Sequence, residues 1–530
     1  MAGCRASSRR LPPSQTPAGN VTGSSNHPAL ITASVGLASF LYSVDWTIAA
    51  VALPHMQGAF SATQDQIGWV ITSYIVASAL AIPAAGWLSL RFGRKRVFLW
   101  AVTVFLIASV ACGAANSLAM EVFARIVQGL GGAFLIPLSH AIILDTYPPE
   151  EQGKAMALWG MGSVMGSFVG PTLGGYVTEY LSWRYIFYIN VPFGVLALAG
   201  SAVFLPETKR EPGRALDWFG FLSLTIGIGA LQLMLDRGGQ GDWFESWEII
   251  TEACLAVLGL YLFNVHCLTA KQPFLDPRLL AQRNFFLGLV FAFIYGFVVT
   301  PPMVLMPSFL DQVRGYSIDA IGLLQAPRGI GLFSAMFIGS RTTGRIDPRK
   351  LIAFGLLCLV YSSWEMSTWT ADVGVWPLVW TNFMQGIGGG IILVPIQVIA
   401  FQSLDPHRRN EATAVYSLVR NIGASIGISG ALAIYVRTSS IMHAQLVEHA
   451  SPFNKALQAQ PAQGWGIAST QALARLEREI SLQSAIIGFT GDFWLFALIA
   501  LAALPLLLFI GKPKMLRSAA DRAKAMVIAE

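Results

Sequence analysis

The sequence predicts an all-helical membrane protein that crosses the bilayer many times, and its composition excludes most other classes. Of its 530 residues, 54% are hydrophobic and only 12% are charged, and the mean hydropathy is +0.57. Soluble domains carry about 25% charged residues, and a long soluble chain needs charged side chains to cover its surface. A soluble enzyme of this length is therefore excluded. The 51 glycines, 27 prolines and 15 tryptophans agree, since glycine and proline are common in membrane helices and tryptophan collects at interfaces.

Fourteen apolar stretches are long enough to cross a bilayer, whose core requires about 20 apolar residues per helix. The first stretch is longer than the core of a signal peptide and ends before Pro54, so we predict an uncleaved first helix. Helices 1 to 14 are predicted at 30–53, 67–88, 97–115, 119–143, 154–177, 185–205, 218–235, 248–268, 285–310, 318–340, 351–370, 374–401, 412–436 and 486–510.

The distribution of basic residues predicts that both chain ends are cytoplasmic. With this orientation, 25 of the 35 Lys and Arg residues lie on the cytoplasmic side, 7 lie outside and 3 lie within helices. Cytoplasmic loops of membrane proteins carry such an excess. Because these residues are divided among short loops, the net charge of +6 does not indicate a nucleic-acid-binding face. The five cysteines contain no CxxC pair and predict neither a disulfide framework nor a metal site.

An internal repeat at an offset of 257 residues predicts two similar halves. The sequence Gln-Gly-Leu-Gly-Gly at 128–132 in helix 4 recurs as Gln-Gly-Ile-Gly-Gly at 385–389 in helix 12, and Gly166 in helix 5 recurs as Gly423 in helix 13. The two copies lie eight helices apart, an even number, so they point in the same direction. A parallel repeat is therefore predicted, in which helices 1–6 and 9–14 form the halves and helices 7 and 8 are inserted between them.

The chain is predicted to have five parts. In the longest loop, Leu473, Leu476 and Ile480 recur at helical spacing and predict a short amphipathic helix lying on the membrane. The predicted parts are a disordered cytoplasmic N-terminus (1–28), an N-terminal six-helix half (29–205), a linker with two inserted helices (206–270), a C-terminal six-helix half (271–511) with a long extracytoplasmic loop (437–485), and a cytoplasmic tail (512–530).

Ionisable residues within the predicted helices are few, and each is a candidate functional residue because a charge is costly to bury in a membrane. Asp45 and Arg125 lie at similar depths, about 12 and 9 Å from the outer ends of helices 1 and 4 at the helical rise per residue. An ion pair between them is one prediction. Glu121, one turn before Arg125, is the alternative partner of that cation. The candidates for proton coupling are Asp45, Arg125, Glu121 and Glu365.

Two further cations lie near the middle of the membrane, Arg328 in helix 10 and Arg420 in helix 13. Each can bind substrate or tie helices together, and the sequence leaves both roles open. The candidates for the substrate cavity are Trp46, Gln128, Arg328, Arg420 and Asn421.

Glycines recur every fourth residue along helix 5 and form one smooth stripe from Gly162 to Gly174, which lets another helix approach closely. Pro171 removes a backbone donor and permits a bend. The loop between helices 2 and 3 contains Gly93, which permits a tight turn, followed by a run of basic residues. The candidates for conformational roles are Gly86, Gly93, Arg94, Gly166, Gly170, Pro171, Gly174 and Gly175.

Several of these motifs together resemble the major facilitator superfamily, and in particular its fourteen-helix drug:proton antiporter family. Residues 86–96 are similar to motif A of the superfamily, residues 125–129 to motif B, and residues 166–175 to the antiporter motif C. Four more stretches resemble signatures of the family: 45–54, 183–194, 315–329 and 420–427. The resemblance spans about residues 40–430.

The resemblance implies multidrug-type efflux of small amphipathic or hydrophobic compounds in exchange for protons, by alternating access between two rocking halves in the cell membrane. Asp45 would take up and release the proton, and Arg125 would respond to that change of charge. No P-loop of the form GxxxxGK[ST] occurs, so we predict a proton gradient rather than ATP as the driving force, without a cofactor. The family also implies a possible periplasmic adaptor protein as a partner, beside the lipid bilayer.

The sequence departs from the family pattern at two positions. The helix 1 motif usually has Asn where this chain has Ala50, and motif A has Asp where this chain has Leu90. The second change removes an acid from the charge latch that motif A supplies. The alternatives are a specific metabolite exporter, a proton-coupled uptake system, and a non-transporting membrane receptor or scaffold; an enzyme is not predicted.

Overall fold

A computed structural model shows the chain as a bundle of long helices. The predicted N-terminus 1–28, apart from its last two residues, and the predicted tail 512–530 lie outside the residues that the structure describes. The described residues are 27–208, 210, 216–239, 243–270, 273–342, 346–401, 404, 408–450 and 470–511.

Each predicted stretch contains a long helix or a broken pair of helices, labelled α1 to α14 in chain order. Their bounds are α1 Pro28–Phe60, α2 Gln64–Ala81 and Ala84–Phe92, α3 Arg94–Gly113, α4 Leu118–Gly132 and Leu135–Thr146, α5 Pro149–Tyr180, α6 Tyr185–Tyr188 and Asn190–Phe204, α7 Trp218–Arg237, α8 Trp247–Thr269, α9 Arg283–Val299 and Pro301–Gln312, α10 Ile318–Thr342, α11 Pro348–Met366, α12 Val375–Phe401, α13 Arg409–His449 and α14 Thr470–Ala503.

Eleven of these helices in the described part are long and apolar enough to cross a membrane, and the bent α2 pair raises the number to twelve. The two pieces of α2 meet at 56°, beside Pro83, which lacks an amide N–H for the helical ladder. The remaining two, α5 and α11, are helical where predicted, but α5 is rich in glycine and α11 carries three charged residues. Fourteen membrane crossings therefore stay a prediction.

Local side chains cap several helix starts. Thr63 and Gln66 form a capping box at α2, in which each side chain accepts a hydrogen bond from the other residue's backbone N–H, at 3.3 and 3.0 Å. The Ser117 hydroxyl accepts from the N–H of Met120 at the start of α4. Because the first N–H groups of a helix have no partner within it, these caps stabilise the ends that face water.

The two halves repeat the same helix packing. A methyl group at Gly129 of α4 would lie 2.5 Å from the Tyr74 carbonyl oxygen of α2, and one at the equivalent Gly386 of α12 would meet the Arg328 carbonyl oxygen of α10. His140 and Gln397, which are separated by the same 257 residues, contact each other with their Nε2 atoms 3.5 Å apart. Equivalent positions can meet in this way only near the axis that relates the halves. The predicted parallel repeat is thereby confirmed.

The inserted pair α7 and α8 lies beside the junction of the halves. The two helices approach each other closely at Gly227 and Gly259. On the outer side, Thr72 of α2 donates a hydrogen bond to Asp236 of α7. Apolar side chains of α2, α7, α8 and α13 share one buried cluster, which includes Ile228. The pair therefore contacts helices of both halves.

The predicted extracytoplasmic loop 437–485 is much shorter in the structure. The helices α13 and α14 continue to His449 and from Thr470, so at most residues 450–469 connect them. The extensions contact each other, with His443 Nε2 2.9 Å from Glu477 Oε1, and next to them the rings of Tyr435 and Phe489 stack 4.2 Å apart. The amphipathic stretch is the start of α14 and not a separate helix, and its Leu476 and Ile480 are buried in the protein while Leu473 is 43% exposed.

Candidate functional site

The buried centre of the N-terminal half is a polar cluster formed around Asp45 of α1 and Arg125 of α4. Their side chains are 0% and 1% exposed, and Nη1 of Arg125 donates to Oδ2 of Asp45 at 2.8 Å. The structure thus decides between the two partners considered for Arg125 in favour of Asp45. A buried ion pair is costly to form in an apolar environment and requires further hydrogen bonds to satisfy its remaining polar atoms.

Two amides and a hydroxyl complete the surroundings of Asp45. Gln128 Nε2 and Asn190 Nδ2 each donate to Oδ1 of Asp45 at 2.8 Å. Both amides also donate to the Ser109 hydroxyl, at 3.2 and 3.0 Å, and that hydroxyl donates to the Phe187 carbonyl oxygen. The carboxylate therefore accepts three hydrogen bonds, from donors on α4 and α6.

The guanidinium of Arg125 is held on its other sides by α2 and α6. Its Nε donates to the Val70 carbonyl oxygen at 3.1 Å, and its Nη1 also donates to Oε1 of Gln128 at 2.8 Å. The guanidinium carbon lies 4.4 Å from the ring centroid of Tyr74 and 5.6 Å from that of Phe187. Such cation–π contacts favour the charged form of an arginine that is removed from water.

Sequence reasoning finds only part of this cluster. Arg125 and Gln128 are three residues apart and therefore share one helix face. Gln128, predicted to line the substrate cavity, is fully buried and belongs to the Asp45 cluster, and its role in the cavity stays a prediction. Asn190 and Ser109 are not among the predicted site residues. Asn190 begins the second piece of α6 within the stretch 183–194 that carries the family resemblance, which is a usable signal, whereas nothing in the sequence distinguishes Ser109 from other small polar residues.

The other carboxyl candidates form no hydrogen bond with the Asp45 cluster, although Glu121 lies within electrostatic reach of Arg125 and Asp45. Glu121 is fully buried beside Cys112 and forms no ion pair with any described residue. Glu365 is half-buried beside Tyr361 at the end of α11, in the other half. Asp492 of α14 is not among the predicted residues, although it lies within a predicted helix. It is fully buried, and neither carboxyl oxygen has a hydrogen-bond partner in the described part of the chain.

The cavity candidates of the C-terminal half have different surroundings. Arg328 is 2% exposed, and its Nη2 donates to the Val299 carbonyl oxygen at 2.5 Å, so it ties α10 to α9. Arg420 is half-buried and forms no hydrogen bond or ion pair with a described residue. Tyr42 of α1 and Tyr295 of α9 lie within electrostatic reach of Arg420. Arg420 therefore lies between the halves.

Two remaining cavity candidates lie beside these groups. Trp46 is half-buried against the hydrophobic core of the N-terminal half. Asn421 is half-buried on α13, next to Arg420. Packing of this kind does not distinguish a substrate contact from a contact between helices, so their role in the cavity stays a prediction.

The glycine stripe of α5 packs against α1, the helix that carries Asp45. A methyl group at Gly166 would lie 2.5 Å from the Phe40 carbonyl oxygen, and one at Gly174 would lie 2.8 Å from a side-chain carbon of Ile48. A methyl group at Gly170 would overlap the Thr47 hydroxyl. The close approach of these two helices therefore requires glycine at these positions.

The end of the stripe is less tightly packed. A methyl group at Gly175 would lie 4.0 Å from Val51, an ordinary contact distance. Pro171 is exposed and lies within α5, which runs as one helix from Pro149 to Tyr180. The close helix contact therefore depends on the three glycines that face α1.

Motif A lies at the cytoplasmic side and contributes to a charge latch. Gly93 ends α2 with φ of 89°, a conformation that favours glycine. Arg94 Nη1 lies 2.5 Å from Asp145 Oδ2, and Arg409 Nη1 of the other half lies 3.1 Å from Asp145 Oδ1. Asp145 of α4 thus binds an arginine of motif A and an arginine of the other half at the same time. Gly86 is buried on the same short helix.

The contacts between the halves close the cytoplasmic side. Besides the Asp145 latch, Met336 of α10 would meet a methyl group placed at Gly160 of α5. Ala157 and Met336, both 0% exposed, share an apolar cluster with residues of α12. Since α5 begins and α10 ends at the predicted cytoplasmic side, this conformation shields the centre of the molecule from the cytoplasm.

Comparison with known proteins identifies the family. The sequence profile of the Major Facilitator Superfamily matches residues 35–428. The multidrug export protein EmrB of Escherichia coli is 36% identical over 489 residues, which cover 91% of this chain and 95% of EmrB. The fatty acid resistance protein FarB of Neisseria gonorrhoeae is 33% identical over 489 residues, which cover 92% of this chain and 96% of FarB.

Solved structures show the same fold. The proton:xylose symporter XylE superposes with a TM-score of 0.61 at 14% identity, over 93% of this chain and 98% of XylE. The human organic anion transporter MFSD10 superposes with a TM-score of 0.60 at 15% identity, over 91% of this chain and 99% of MFSD10. Together with the profile match and the relatives, this fold shows that the chain belongs to the Major Facilitator Superfamily, as a non-enzymatic, EmrB-type multidrug-efflux transporter of the cell membrane.

Proposed function

We propose that this transporter exports its substrates in exchange for protons and that Asp45 carries the proton. The observation that supports this is the buried ion pair of Asp45 with Arg125, whose side chains are 0% and 1% exposed. Ionisable groups are expensive within a membrane and mark proton relays and ion pathways. Apolar side chains would join α1 to α4 at lower cost, so the pair is better explained by a change of charge during transport.

The surroundings of Asp45 fit a carboxylate that can be switched. A carboxylate only accepts hydrogen bonds, and all three partners of Asp45 donate. A proton on Asp45 removes the charge that attracts Arg125 and places an O–H donor among other donors. We expect the two side chains to separate on protonation, while Arg125 keeps its bond to the Val70 carbonyl oxygen and its place over Tyr74.

The helix that carries Asp45 connects this change to the other half. On one side α1 is attached to α4 and α6 through Asp45. On another side it packs against the glycine stripe of α5 at Gly166 and Gly170, where it can slide over a smooth surface. The cytoplasmic part of α5 in turn contacts Met336 of α10. Protonation of Asp45 therefore acts on the contact between the halves through two helices.

We propose further that the transporter favours acidic amphipathic substrates, because the charge at its centre is positive. Arg420 lies between the halves without an ion pair in the described part, and the groups within its electrostatic reach include Tyr42, Tyr295 and His140. A carboxylate would form charge-assisted hydrogen bonds with this guanidinium. The name of the relative FarB, a fatty acid resistance protein, supports the same preference.

The proposal includes an adaptor protein that binds at the outer side of the transporter. The family resemblance implies such a partner, and the paired extensions of α13 and α14 beyond Arg437 form the surface available for it. His443 Nε2 lies 2.9 Å from Glu477 Oε1 and thus joins the two extensions by a hydrogen bond.

The proposed coupling is tested with the Asp45→Asn variant in everted membrane vesicles. The amide resembles the carboxyl in size but carries no exchangeable charge, so we expect loss of export driven by a pH gradient with an unchanged amount of protein in the membrane. Asp311→Asn is the matched control, since it makes the same substitution at an exposed aspartate outside the cluster and should leave export unchanged. Undiminished export by Asp45→Asn would sink the role of Asp45.

A further inference from the structure

An apolar cavity of about 780 Å³ lies between the inserted helices and the junction of the two halves. Its walls are formed by the short cytoplasmic helix of α2, by α7 and α8, by the start of α9 and by the first turns of α13. Its volume lies in the range of small-molecule sites, about 300 to 1,000 Å³. The coupling cluster around Asp45 does not contribute to it.

The cavity has the depth of one bilayer leaflet. On α7 its lining extends from Asp217 at the cytoplasmic start of the helix to Ile228, and on α13 it extends from Glu411 to Ile422. Each distance covers eleven residues, or about 16 Å at the helical rise. The hydrocarbon core of a bilayer is about 30 Å thick, so the cavity spans the apolar part of the cytoplasmic leaflet.

The walls of the cavity are apolar, and the charges at its rim already have partners. Leu224, Phe263 and Leu418 line its interior. At the rim, Asp217 lies 2.9 Å from His266 and accepts the backbone N–H of Phe274. Asp276, also at the rim, pairs with Arg408 at 3.0 Å. The interior therefore suits a hydrocarbon chain, with the polar end of the molecule at the cytoplasmic rim.

Leu90, one of the two departures from the family pattern, lines this cavity. Motif A usually has an acid at this place, but here the leucine is part of the apolar wall, together with Trp87. An aspartate at this position would put a charge into the cavity without a partner, which is costly. The departure from motif A therefore keeps the wall apolar, while Asp145 supplies the charge latch.

The inner end of the cavity is close to the proposed substrate cation. Leu418 and Ile422 line the cavity and flank Arg420 on α13. The wall also joins α2 of one half with α13 of the other, and these helices must separate when the cytoplasmic side opens. A molecule in the cavity would then lie beside the path to the centre.

We propose that this cavity is a loading site that takes the apolar chain of a single-tailed amphiphile from the cytoplasmic leaflet before export. The export step after loading rests on the proposed function, but binding itself requires no proton gradient. A phospholipid tail has the same chemistry as the chain of an exported amphiphile, so the experiment must distinguish the two sources.

The test uses photocrosslinking in reconstituted membranes with two probes that carry a diazirine on the hydrocarbon chain. One probe is a single-tailed fatty acid, and the other is a two-tailed phosphatidylethanolamine. We expect the fatty acid to label peptides of α7, α8 and α13 that line the cavity, and unlabelled fatty acid to compete. Labelling by phosphatidylethanolamine alone would overturn the proposal.

Two cavity variants and one control test whether the probe binds in this cavity. Ile228→Trp fills the cavity, because Ile228 is a lining residue and 2% exposed, whereas Ile226→Trp on the same helix changes a residue that is 50% exposed. We expect labelling to fall about tenfold, about 1.4 kcal/mol of binding free energy, in Ile228→Trp and to persist in Ile226→Trp. Leu90→Asp, which charges the wall without adding bulk, should also lose labelling.

Equal labelling of Ile228→Trp and Ile226→Trp contradicts the proposal. The Asp45→Asn variant separates it from the proposed coupling, because this variant should keep full labelling while losing export. If Asp45→Asn exports normally but the cavity variants lose labelling, the coupling proposal fails and the loading site stands.

Discussion

The two halves of the molecule share their backbone packing but differ in the chemistry at equivalent positions. In the N-terminal half, Gln128 donates a hydrogen bond to Ser109 as part of the Asp45 cluster. The equivalent Gln385, 257 residues later, donates to the sulfur of Met366 at 3.7 Å. The glycine contacts of α3 with α4 and of α11 with α12 align Met366 with Cys112, whose Sγ donates to Gln128 Oε1 at 3.6 Å, and align Ser109 with Ser363. Each glutamine thus contacts a sulfur atom, but only Gln128 also bonds to a hydroxyl, since the Ser363 hydroxyl has no hydrogen-bond partner in the described part of the chain.

The charged pair itself exists in one half only. The position equivalent to Arg125 is Asn382, whose Nδ2 donates to a carbonyl oxygen in its own helix, and the glycine contacts of α1 and α9 align Asp45 with Val298. The two halves pack alike, but only the N-terminal half contains the ion pair. The ion pair is therefore not needed to hold such a half together. We therefore assign proton coupling to the N-terminal half and substrate charge recognition to Arg420 of the C-terminal half.

The largest contrast is expected from removing the central side chains of each half. Arg125→Ala leaves Asp45 buried without its cation, and breaking a buried pair costs roughly 3–5 kcal/mol. Asn382→Ala removes one neutral hydrogen bond, at about 1 kcal/mol. Thermal unfolding of the purified variants measures the difference. A similar loss of stability in both would contradict the asymmetry between the halves.

A smaller effect separates substrate recognition from coupling. Arg420→Gln removes the cation that would bind an acidic substrate, so we expect its apparent affinity for a carboxylated substrate to fall about tenfold, corresponding to one hydrogen bond to a charged group. The uncharged ester of the same compound is the control and should be exported as by the wild type. Equal loss for acid and ester would show that Arg420 has only a structural role.

The smallest contrast concerns the glycines, because both halves require them. Gly166→Ala places a methyl group 2.5 Å from the Phe40 carbonyl oxygen, and Gly423→Ala places one against the Phe293 carbonyl oxygen. Overpacking of this kind costs about 1–3 kcal/mol, and we expect similar losses of thermal stability in both variants. Gly162→Ala, whose methyl group would lie 4.0 Å from the nearest neighbour, is the tolerated control. A loss in only one half would contradict the shared packing.

The sequence predicts the helices and the central pair better than their extensions and surroundings. Apolar length locates a membrane helix, and equal depth brings Asp45 and Arg125 together. Neither shows where a helix ends outside the membrane. The extensions of α13 and α14 are joined by contacts such as that of His443 with Glu477, which lie 34 residues apart in the chain. The predicted loop 437–485 is therefore too long.

The partners of Asp45 show the same limit. Gln128 shares a helix with Arg125, so its contribution follows from helical spacing. Asn190 and Ser109 reach the cluster from two other helices, and only the packing of α3 and α6 against α4 brings them there. Hydropathy and residue spacing describe one helix at a time. They do not predict which side chains of neighbouring helices reach the cluster.

The central claim is that the proton of exchange resides on Asp45 in the N-terminal half. The most direct test measures proton release by the purified transporter, in weakly buffered detergent solution with a pH indicator, when a substrate is added. We expect wild-type protein to release protons on substrate binding and Asp45→Asn to bind the same substrate without release. Undiminished release by Asp45→Asn would place the coupling group elsewhere and contradict the assignment to Asp45.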